Sequence, residues 1–595
     1  MLESLLFIYI KIFVKKSHFT SAKGVADGMF KDGYFYKADG KTRFVPLGML
    51  TNYFAGNEIF LTPSRQTTHG ENILEFHQLT KNDWRKFFAH LQMEGHTAMR
   101  LYPRGINIDN AWEGLDCGGQ VNEGLLSLIL DYINMAGSYG IRTQLILFTQ
   151  PEASVYCSVK TQMLFGARFR DQRERDAAPK FVKRFCADKP ETVSYAKFFM
   201  DDDVRCCCTR FLELLLPRIA DNPNIFALEL VNELGWCGPY AECPNAFFWK
   251  GEQSILDWAQ EMVETIHRNA PQVPVCISGA GAGILGQDIL CRSQRIRPDF
   301  YSIHLYPQMC GHLDGVTDFA TVAEFSLKYA QANGNAMLGE WECTDYMGQL
   351  SEWDRQLCRR DIIWLSLLSG APGILGRITS RGFGEYCSVQ QVQKQLQGRN
   401  CIRKKPALGI DIRPLHARLL LLAQQKNQEC AFRSNEWCPD GGRQNDGHCF
   451  CHQSKDALFA QALRLAVDLQ EEGLDYDLTL TPEKYKANRP EQVRGASKLE
   501  APKGYRMRQM LCSDGKTIII YLRNYERKPV WQRLGQELYA VRDRAPKPFA
   551  LRVADGWQPL VFDLDLKRWV DDFSIFHGTI TSHDFVVLLF REENE

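Results

Sequence analysis

Two short stretches of the 595-residue chain place carboxylates where packing alone has no use for them. The first, NIFALELVNELGW at 224–236, opens with an apolar run, Ile225 to Val231, fit for a fully buried strand. It stops at Asn232-Glu233 and breaks at Gly235. The second, AMLGEW at 336–341, is a shorter apolar run closing on Gly339-Glu340. Asp and Glu are seldom buried without cause, and in α/β folds the C-terminal ends of strands are where ligands sit. Two such groups can divide one reaction between them: an ionised carboxylate attacks carbon while a protonated one supplies the leaving oxygen with its proton. Their environments must then differ. Arg100, near the end of the run Thr97–Leu101, set beside Glu340 keeps that group ionised and leaves Glu233 as the acid/base. Glu342, two residues on, faces the same side if the strand continues and competes with Glu340 as nucleophile. Asn232 can hydrogen-bond a substrate hydroxyl, and His304 and Tyr306 in DFYSIHLYP close a further apolar run. Trp236 and Trp341 directly follow the two carboxylates, placed either to stack on an apolar substrate face or to pack the rim.

Apolar runs and amphipathic segments alternate in a way that brings these groups together. Strands are expected at Val45–Leu50, Thr97–Leu101, Arg142–Phe148, Ile225–Val231, Val275–Ser278, Asp299–Leu305, Ala336–Glu340 and Gly373–Arg377. Between them lie helical patterns, among them one from Thr80 to Gly95 with Trp84, Phe87, Phe88 and Leu91 on one face. Others are Leu125–Ala136, Val204–Ile219, Ile255–Asn269, Val322–Ala332 and Asp361–Ser369, closed by Gly370. Crossovers this long suit parallel pairing, and eight βα units make a (β/α)8 TIM barrel. A doubly wound sheet would show a glycine-rich phosphate turn after its first strand; Pro46-Leu47-Gly48-Met49 is not one. Three βα units separate Glu233 from Glu340, so both return to the same rim. A hairpin, Gly33–Phe44 with its turn at Asp39-Gly40, precedes the first strand.

The chain divides into an N-terminal extension (1–24), the barrel (25–404), a small α/β, Rossmann-like domain (405–503) and a C-terminal β-sandwich (504–595). The α/β unit rests on a helix Ala457–Glu472 followed by the strand Tyr476–Leu480, and the sandwich on strands such as Tyr505–Cys512, Thr517–Tyr525 and Phe585–Phe590.

Lys+Arg and Asp+Glu balance at 71 each, which speaks against nucleic acid or an anionic membrane as partner. The 20 cysteines do not read as a disulfide framework: Cys206-Cys207-Cys208 run together, and Cys276 sits in an expected barrel strand. Free thiols fit a reducing, cytoplasmic setting; Cys237 and Cys243 could pair if the protein is exported. His448-Cys449-Phe450-Cys451-His452, with Cys430 and Cys438 upstream, matches no standard zinc spacing and is read as an irregular loop, so no metal is assigned. Leu5–Val14 is interrupted by Lys11, makes a poor signal, and is too short to span a bilayer.

At the candidate residues the chain resembles the clan A glycoside hydrolases, which include families 2, 5 and 42. Asn232-Glu233 in LELVNELGW matches their Asn-Glu after the fourth strand, and Gly339-Glu340 in MLGEW their nucleophile at the seventh. His304-Leu305-Tyr306 matches a His-x-Tyr at the sixth strand, and Arg100 in TAMRLYP an Arg ending the second. The likeness covers about Gly33 to Arg377. It implies a retaining β-glycosidase with Glu340 as nucleophile and Glu233 as acid/base, no cofactor, and an oligosaccharide or β-glycoside substrate. Arg100, Asn232, His304 and Tyr306 would shape the first subsite. The order of segments after the barrel resembles family 42 β-galactosidases and related β-mannosidase-type enzymes, which implies exo action and a homo-oligomer, a trimer. The alternatives are an endo-β-1,4-glycanase and a carbohydrate-binding barrel without turnover. One departure stands out: the last barrel strand reads GILGR where many clan members carry a sugar-stacking Trp.

Overall fold

The computed structural model describes residues 29–37, 40–51, 58–60, 75–77, 81–101, 121, 123–148, 202–234, 250–279, 296–305, 323, 326–327, 330–331, 334–341, 352–376, 384–396, 499–500, 505–512, 514–524, 530–531, 538–539, 552–570 and 584–591. At its centre is a closed parallel barrel. The chain enters through a three-stranded antiparallel sheet, β1 (Phe30–Lys31), β2 (Tyr34–Tyr36) and β3 (Arg43–Phe44). It continues into the first barrel strand, β4 (Leu47–Thr51), followed by a small antiparallel pair, β5 (Glu58–Phe60) and β6 (Glu75–His77). The other barrel strands are β7 (Ala98–Leu101), β8 (Arg142–Phe148), β9 (Ile225–Val231), β10 (Val275–Ser278), β11 (Phe300–Leu305), β12 (Ala336–Trp341) and β13 (Ile374–Gly376). Each pairs in parallel with the next, and β13 closes on β4. The eight strands fall where the apolar runs predict them.

The reason is burial on both faces. Every residue of β9, β10, β11 and β12 is buried, the state that near-continuous apolar runs encode. Around them lie α1 (Lys81–Met93), α2 (Glu123–Ser138), α3 (Asp202–Ile219), α4 (Lys250–Asn269), α5 (Glu352–Leu368) and α6 (Glu385–Gln395). Helix α1 buries Trp84, Phe88 and Leu91 as its spacing requires. It stops at Gly95, whose φ of +84° needs a residue without Cβ, and an added Cβ would also meet the Cys387 backbone nitrogen at 2.5 Å. Helix α5 starts well before the Asp361 expected for it, and α6 was not expected at all. Of the helix expected at Val322–Ala332, residues 323, 326, 327, 330 and 331 are described and helical.

The N-terminal sheet closes the end of the barrel away from the strand C-termini. Phe35 sits 5.1 Å from Phe226 and 5.2 Å from Phe300, both edge-on, and Phe44 lies 5.3 Å from Phe226. Phe226 and Phe300 stand near the starts of β9 and β11. Each such ring pair adds about 0.5–1.5 kcal/mol beyond area burial, so this end is a packed plug, and the opposite end is left for chemistry.

The C-terminal segment differs from the expected sandwich. Its small pairs are β14 (Leu499–Glu500) with β19 (Arg552–Val553), and β17 (Val530–Trp531) with β18 (Leu538–Tyr539). Its main body is one five-stranded antiparallel sheet of β15 (Tyr505–Leu511), β16 (Thr517–Asn524), β22 (Asp584–Arg591), β20 (Trp557–Asp563) and β21 (Arg568–Trp569), in that order. Among the described residues there is no second large sheet to complete a sandwich. Instead one face packs on the barrel's own helices. Ile519, Tyr521, Phe562, Val586 and Leu588 join the main core, while the alternate residues Ile518, Ile520, Leu522, Val587 and Leu589 form a separate cluster on the other face. Polar groups fix the junction. Arg360 of α5 donates to Glu385 at 3.0 Å, to Asp565 at 2.7 Å, to Asp584 at 3.1 Å and to the Leu564 carbonyl at 3.1 Å. Burial alone would lower its pKa, but the three carboxylates outweigh that and hold the guanidinium charged. Beside it the Tyr521 hydroxyl donates to Asp361.

Apart from Leu499–Glu500, the expected α/β domain lies outside the described residues, as do Cys237, Cys243, the Cys/His loop and Leu5–Val14. Among the described cysteines, Cys206, Cys208, Cys276, Cys358, Cys387 and Cys512 are free thiols. No described helix is long and apolar enough to cross a membrane.

Candidate active site

The polar groups that end the barrel strands converge on one cluster built around Arg100. Its side chain is fully buried and projects inward from β7. Nε donates to Glu229 Oε2 at 2.6 Å and Nη2 to Glu229 Oε1 at 2.5 Å, a bidentate fork. Nη1 donates to Glu340 Oε2 at 2.6 Å, and Nη2 also to Asn232 Oδ1 at 2.7 Å. One guanidinium thus ties β7, β9, the turn after β9, and β12 together.

Glu229 is the partner that sequence reasoning missed. Its signal was in plain view: a charge inside IFALELV, a run otherwise apolar and buried on both faces. Such a charge demands a counter-charge at the same depth, and Arg100 provides it. Burial alone would raise the Glu229 pKa, but the Arg100 charge and hydrogen bonds outweigh burial and hold the carboxyl below its ordinary value. Gln144, in the middle of β8, donates a further bond to Glu229 Oε2 at 2.7 Å and faces Cys276 Sγ at 3.5 Å. Burial and the Glu229 charge push the Cys276 thiol well up, so it stays neutral.

Glu233 and Glu340 occupy different surroundings. The Glu233 carboxyl accepts or shares a proton with His304, Oε1 to Nδ1 at 3.0 Å, and the same Nδ1 lies 3.7 Å from Glu340 Oε2. Burial raises the Glu233 pKa, and the Glu340 charge adds to the rise; His304 and Arg100 pull the other way without reversing it. The surroundings of Glu233 thus favour its protonated form, while the Arg100 charge beside Glu340 favours a carboxylate there. While Arg100 and Glu229 are sealed off, the Glu233 and Glu340 side chains remain 13% and 9% exposed. Of these four side chains, only these two keep any exposure. Their oxygens and the His304 ring nitrogen all fall within 4.8 Å of one another.

Local backbone features aim them. Glu233 adopts φ +53°, a left-handed conformation costing about 1–2 kcal/mol for a residue with Cβ. On β12 the ladder to β11 slips: Ile303 pairs with Leu338 and the next pair is His304 with Glu340, so Gly339 is bulged. A Cβ at Gly339 would lie 1.6 Å from Ser302 Oγ and 2.9 Å from Ser302 Cβ. Glycine is thus the residue that lets β12 shift and bring Glu340 opposite His304. Gly339→Ala is expected to lower stability by about 1–3 kcal/mol through overpacking and to lower kcat by displacing Glu340. Adding Ser302→Gly relieves the clash, and thermal unfolding with kcat on the single and double variants checks both parts.

Six of the eight residues singled out in the sequence fall in described structure. Arg100, Asn232, Glu233, His304 and Glu340 come together; Tyr306, Trp236 and the competing Glu342 lie outside the described residues. Trp341 is corrected. Side chains alternate along a strand, so with Glu340 facing the lumen Trp341 points outward, and it is 1% exposed within the core. It packs the barrel and offers no stacking face. Glu233, His304 and Glu340 are also residue types that bind metals, yet Arg100 holds a positive charge 2.6 Å from a Glu340 oxygen, which opposes a cation there.

No family model matches the chain, and no curated protein matches it. Solved structures similar to it include the exo-β-1,4-mannosidase Op5Man5 from Opitutaceae bacterium strain TAV5, at 15% identity over 67% of this chain and 70% of that one, with a TM-score of 0.39. Another is a glycoside hydrolase family 5 protein from Bacteroides vulgatus, at 11% identity over 96% and 94% of the two chains, TM-score 0.41. A third is the endo-1,4-β-D-mannanase from Thermotoga petrophila, at 15% identity over 56% and 88%, TM-score 0.37.

Proposed function

We propose that the chain is a retaining β-glycoside hydrolase working by double displacement. The observation that carries this reading is the carboxylate pair itself: one with its pKa raised by burial, one bonded to Arg100, with oxygens within 4.8 Å of each other at the strand C-termini. Retaining enzymes keep their two carboxyl groups about 5–5.5 Å apart, whereas inverting ones open the gap to about 6.5–9.5 Å for a water. In the first step Glu340 attacks the anomeric carbon, and the bond to the leaving oxygen breaks as Glu233 delivers its proton there. This leaves a glycosyl ester on Glu340 and an ionised Glu233. In the second, Glu233 takes a proton from water, the hydroxyl attacks the same carbon, and Glu340 is released as carboxylate. Two inversions return the starting anomer.

Arg100 holds Asn232 by its Oδ1, which fixes the amide so that Nδ2 is the donor end, suited to a sugar 2-hydroxyl. Exo action on β-mannosides or β-galactosides is the sharper part of the proposal and rests on the resemblance of the segments after the barrel. A panel of nitrophenyl β-mannoside, β-galactoside, β-glucoside and β-xyloside tests the whole reading. Turnover of at least one is expected, the mannoside or galactoside first; turnover that survives unchanged in both Glu233→Gln and Glu340→Gln contradicts the assignment.

The pH profile follows from the direction of the Glu233 shift. Because its pKa is raised, the protonated, active form persists above the ordinary Glu value of about 4.3. On a substrate that needs protonation to leave, kcat/KM is therefore expected to hold past that value and fall as pH rises through the Glu233 pKa. In Glu233→Gln, which has no proton to lose, the alkaline limb disappears and kcat/KM drops about 10²–10⁴-fold. An alkaline limb that stays in place in this variant assigns it to another group.

A further inference from the structure

The Glu233 backbone stands in the left-handed region, and one buried side chain from the neighbouring strand bonds the turn that carries it. The ladder between β9 and β10 closes at the pair Glu229 with Cys276, but β9 runs on to Val231 before turning at Asn232-Glu233. Past the last pair, Ser278 at the end of β10 takes over from the ladder. Its Oγ accepts a hydrogen bond from the Glu233 backbone N–H at 2.7 Å and donates to the Val231 carbonyl at 3.0 Å. Ser278 is fully buried. The same hydroxyl also hydrogen-bonds the Glu229 carboxylate, so its one proton is shared between that carboxylate and the Val231 carbonyl, while Arg100 and Gln144 hold Glu229 from other sides. On the other side of the turn the Asn232 N–H is held by the Phe148 carbonyl of β8 at 3.2 Å. Between these two clamps Glu233 takes φ +53°, the conformation in which its carboxyl meets His304.

We propose that Ser278 is a positioning residue for the acid/base: its hydroxyl fixes the turn that points Glu233 at the leaving oxygen. The proposal rests on the glycosidase reading above for its catalytic consequence, and on geometry alone for its structural one. Without the hydroxyl, a buried N–H and a buried C=O both lose their partner. The strain at Glu233 is then released by rotation toward negative φ, which swings the carboxyl away from His304. Arg100 and Glu340 are held from β7 and β12 and stay in place, so proton delivery suffers while nucleophilic attack does not.

That asymmetry is measurable. In Ser278→Ala, kcat/KM for a β-glycoside with a poor leaving group, an alkyl or sugar alcohol, is expected to fall about 10–100-fold, part of the 10²–10⁴-fold that general acid catalysis supplies. For a dinitrophenyl β-glycoside of the same sugar, whose leaving group needs no proton, kcat/KM is expected to change by less than about threefold on the same reasoning. The alkaline limb of the pH profile moves, and azide raises the reduced kcat on the activated substrate by replacing the water that Glu233 no longer deprotonates. Ser278→Thr, which keeps the hydroxyl, restores the leaving-group dependence of the parent. A loss of equal size on both leaving groups, or no loss on either, overturns the proposal. A crystal structure of Ser278→Ala tests the positioning role independently of turnover: Glu233 at negative φ is expected, and φ still near +53° overturns that role. If the parent chain turns over no glycoside, the glycosidase reading fails by itself and this structural arm still decides what Ser278 does.

Discussion

Arg100→Met is expected to destabilise the chain by about 3–5 kcal/mol and to remove most of its turnover. The magnitude is that of breaking a buried ion pair by deleting one partner. Glu229 would be left fully buried without its bidentate partner, keeping only the weaker help of Gln144, Ser278 and His304, a poorly compensated charge that must take up a proton or pull water into the barrel. Glu340 would lose the 2.6 Å bond that favours its ionised form, and Asn232 the bond that orients its amide. Lysine is not a substitute: an ammonium cannot reproduce a planar fork that serves three side chains on separate elements. The double variant Arg100→Met/Glu229→Leu separates the two effects. Removing both charges is expected to recover much of the stability, since a buried pair replaced by apolar groups is often neutral, and none of the activity. Denaturant unfolding of the two single variants and the double gives the coupling between them. A coupling near zero would mean that the fork seen between Arg100 and Glu229 does not exist in solution.

Glu340→Gln is the second large effect, and it falls on chemistry alone. The amide keeps the shape and can still accept from Arg100, so thermal unfolding is expected to move by only a few degrees. The nucleophile is gone, and kcat is expected to fall on the order of 10⁴-fold or more, as when an attacking residue is deleted from a unit that acts together. The contrast with Glu233→Gln is the informative part. Loss of the acid spares substrates with activated leaving groups in the first step, whereas loss of the nucleophile spares none. Equal behaviour of the two variants across leaving groups would contradict the division of roles.

Much of this was legible in the chain because the barrel's physics writes itself into sequence. Strands buried on both faces must be apolar throughout, so β9 and β12 show as runs such as IFALELV and AML, and a carboxylate at their ends is conspicuous. Arg100 could be placed beside Glu340 because both end strands of one closed sheet. What could not be read was how Arg100 divides its donors. A guanidinium in a sequence does not reveal that Glu229, three residues upstream of Asn232, takes two of its bonds. Ser278 was invisible for a related reason: its role arises because the β9–β10 ladder ends at Glu229–Cys276, before either strand does, and where a ladder ends is a tertiary fact. Trp341 stood between two readings in the sequence, and the structure takes the packing one, because adjacency to Glu340 means the opposite face in a strand. The C-terminal segment showed its alternating strands correctly, but a pattern of strands does not say what covers each face. One face is covered by α5, through Trp364 and the Arg360 cluster, and among the described residues no second large sheet packs on it.

The central claim is that Glu340 bonds covalently to the sugar while Glu233 manages the proton. The most direct test is to incubate the chain with a 2-fluoro-substituted β-glycoside carrying a dinitrophenyl leaving group, which slows release of the intermediate, and to map the added mass by peptide sequencing. The account predicts one glycosyl group per chain, carried by Glu340 and absent in Glu340→Gln. A label on Glu342, or a chain that turns over the parent glycoside yet forms no covalent adduct and releases the inverted anomer, would contradict it.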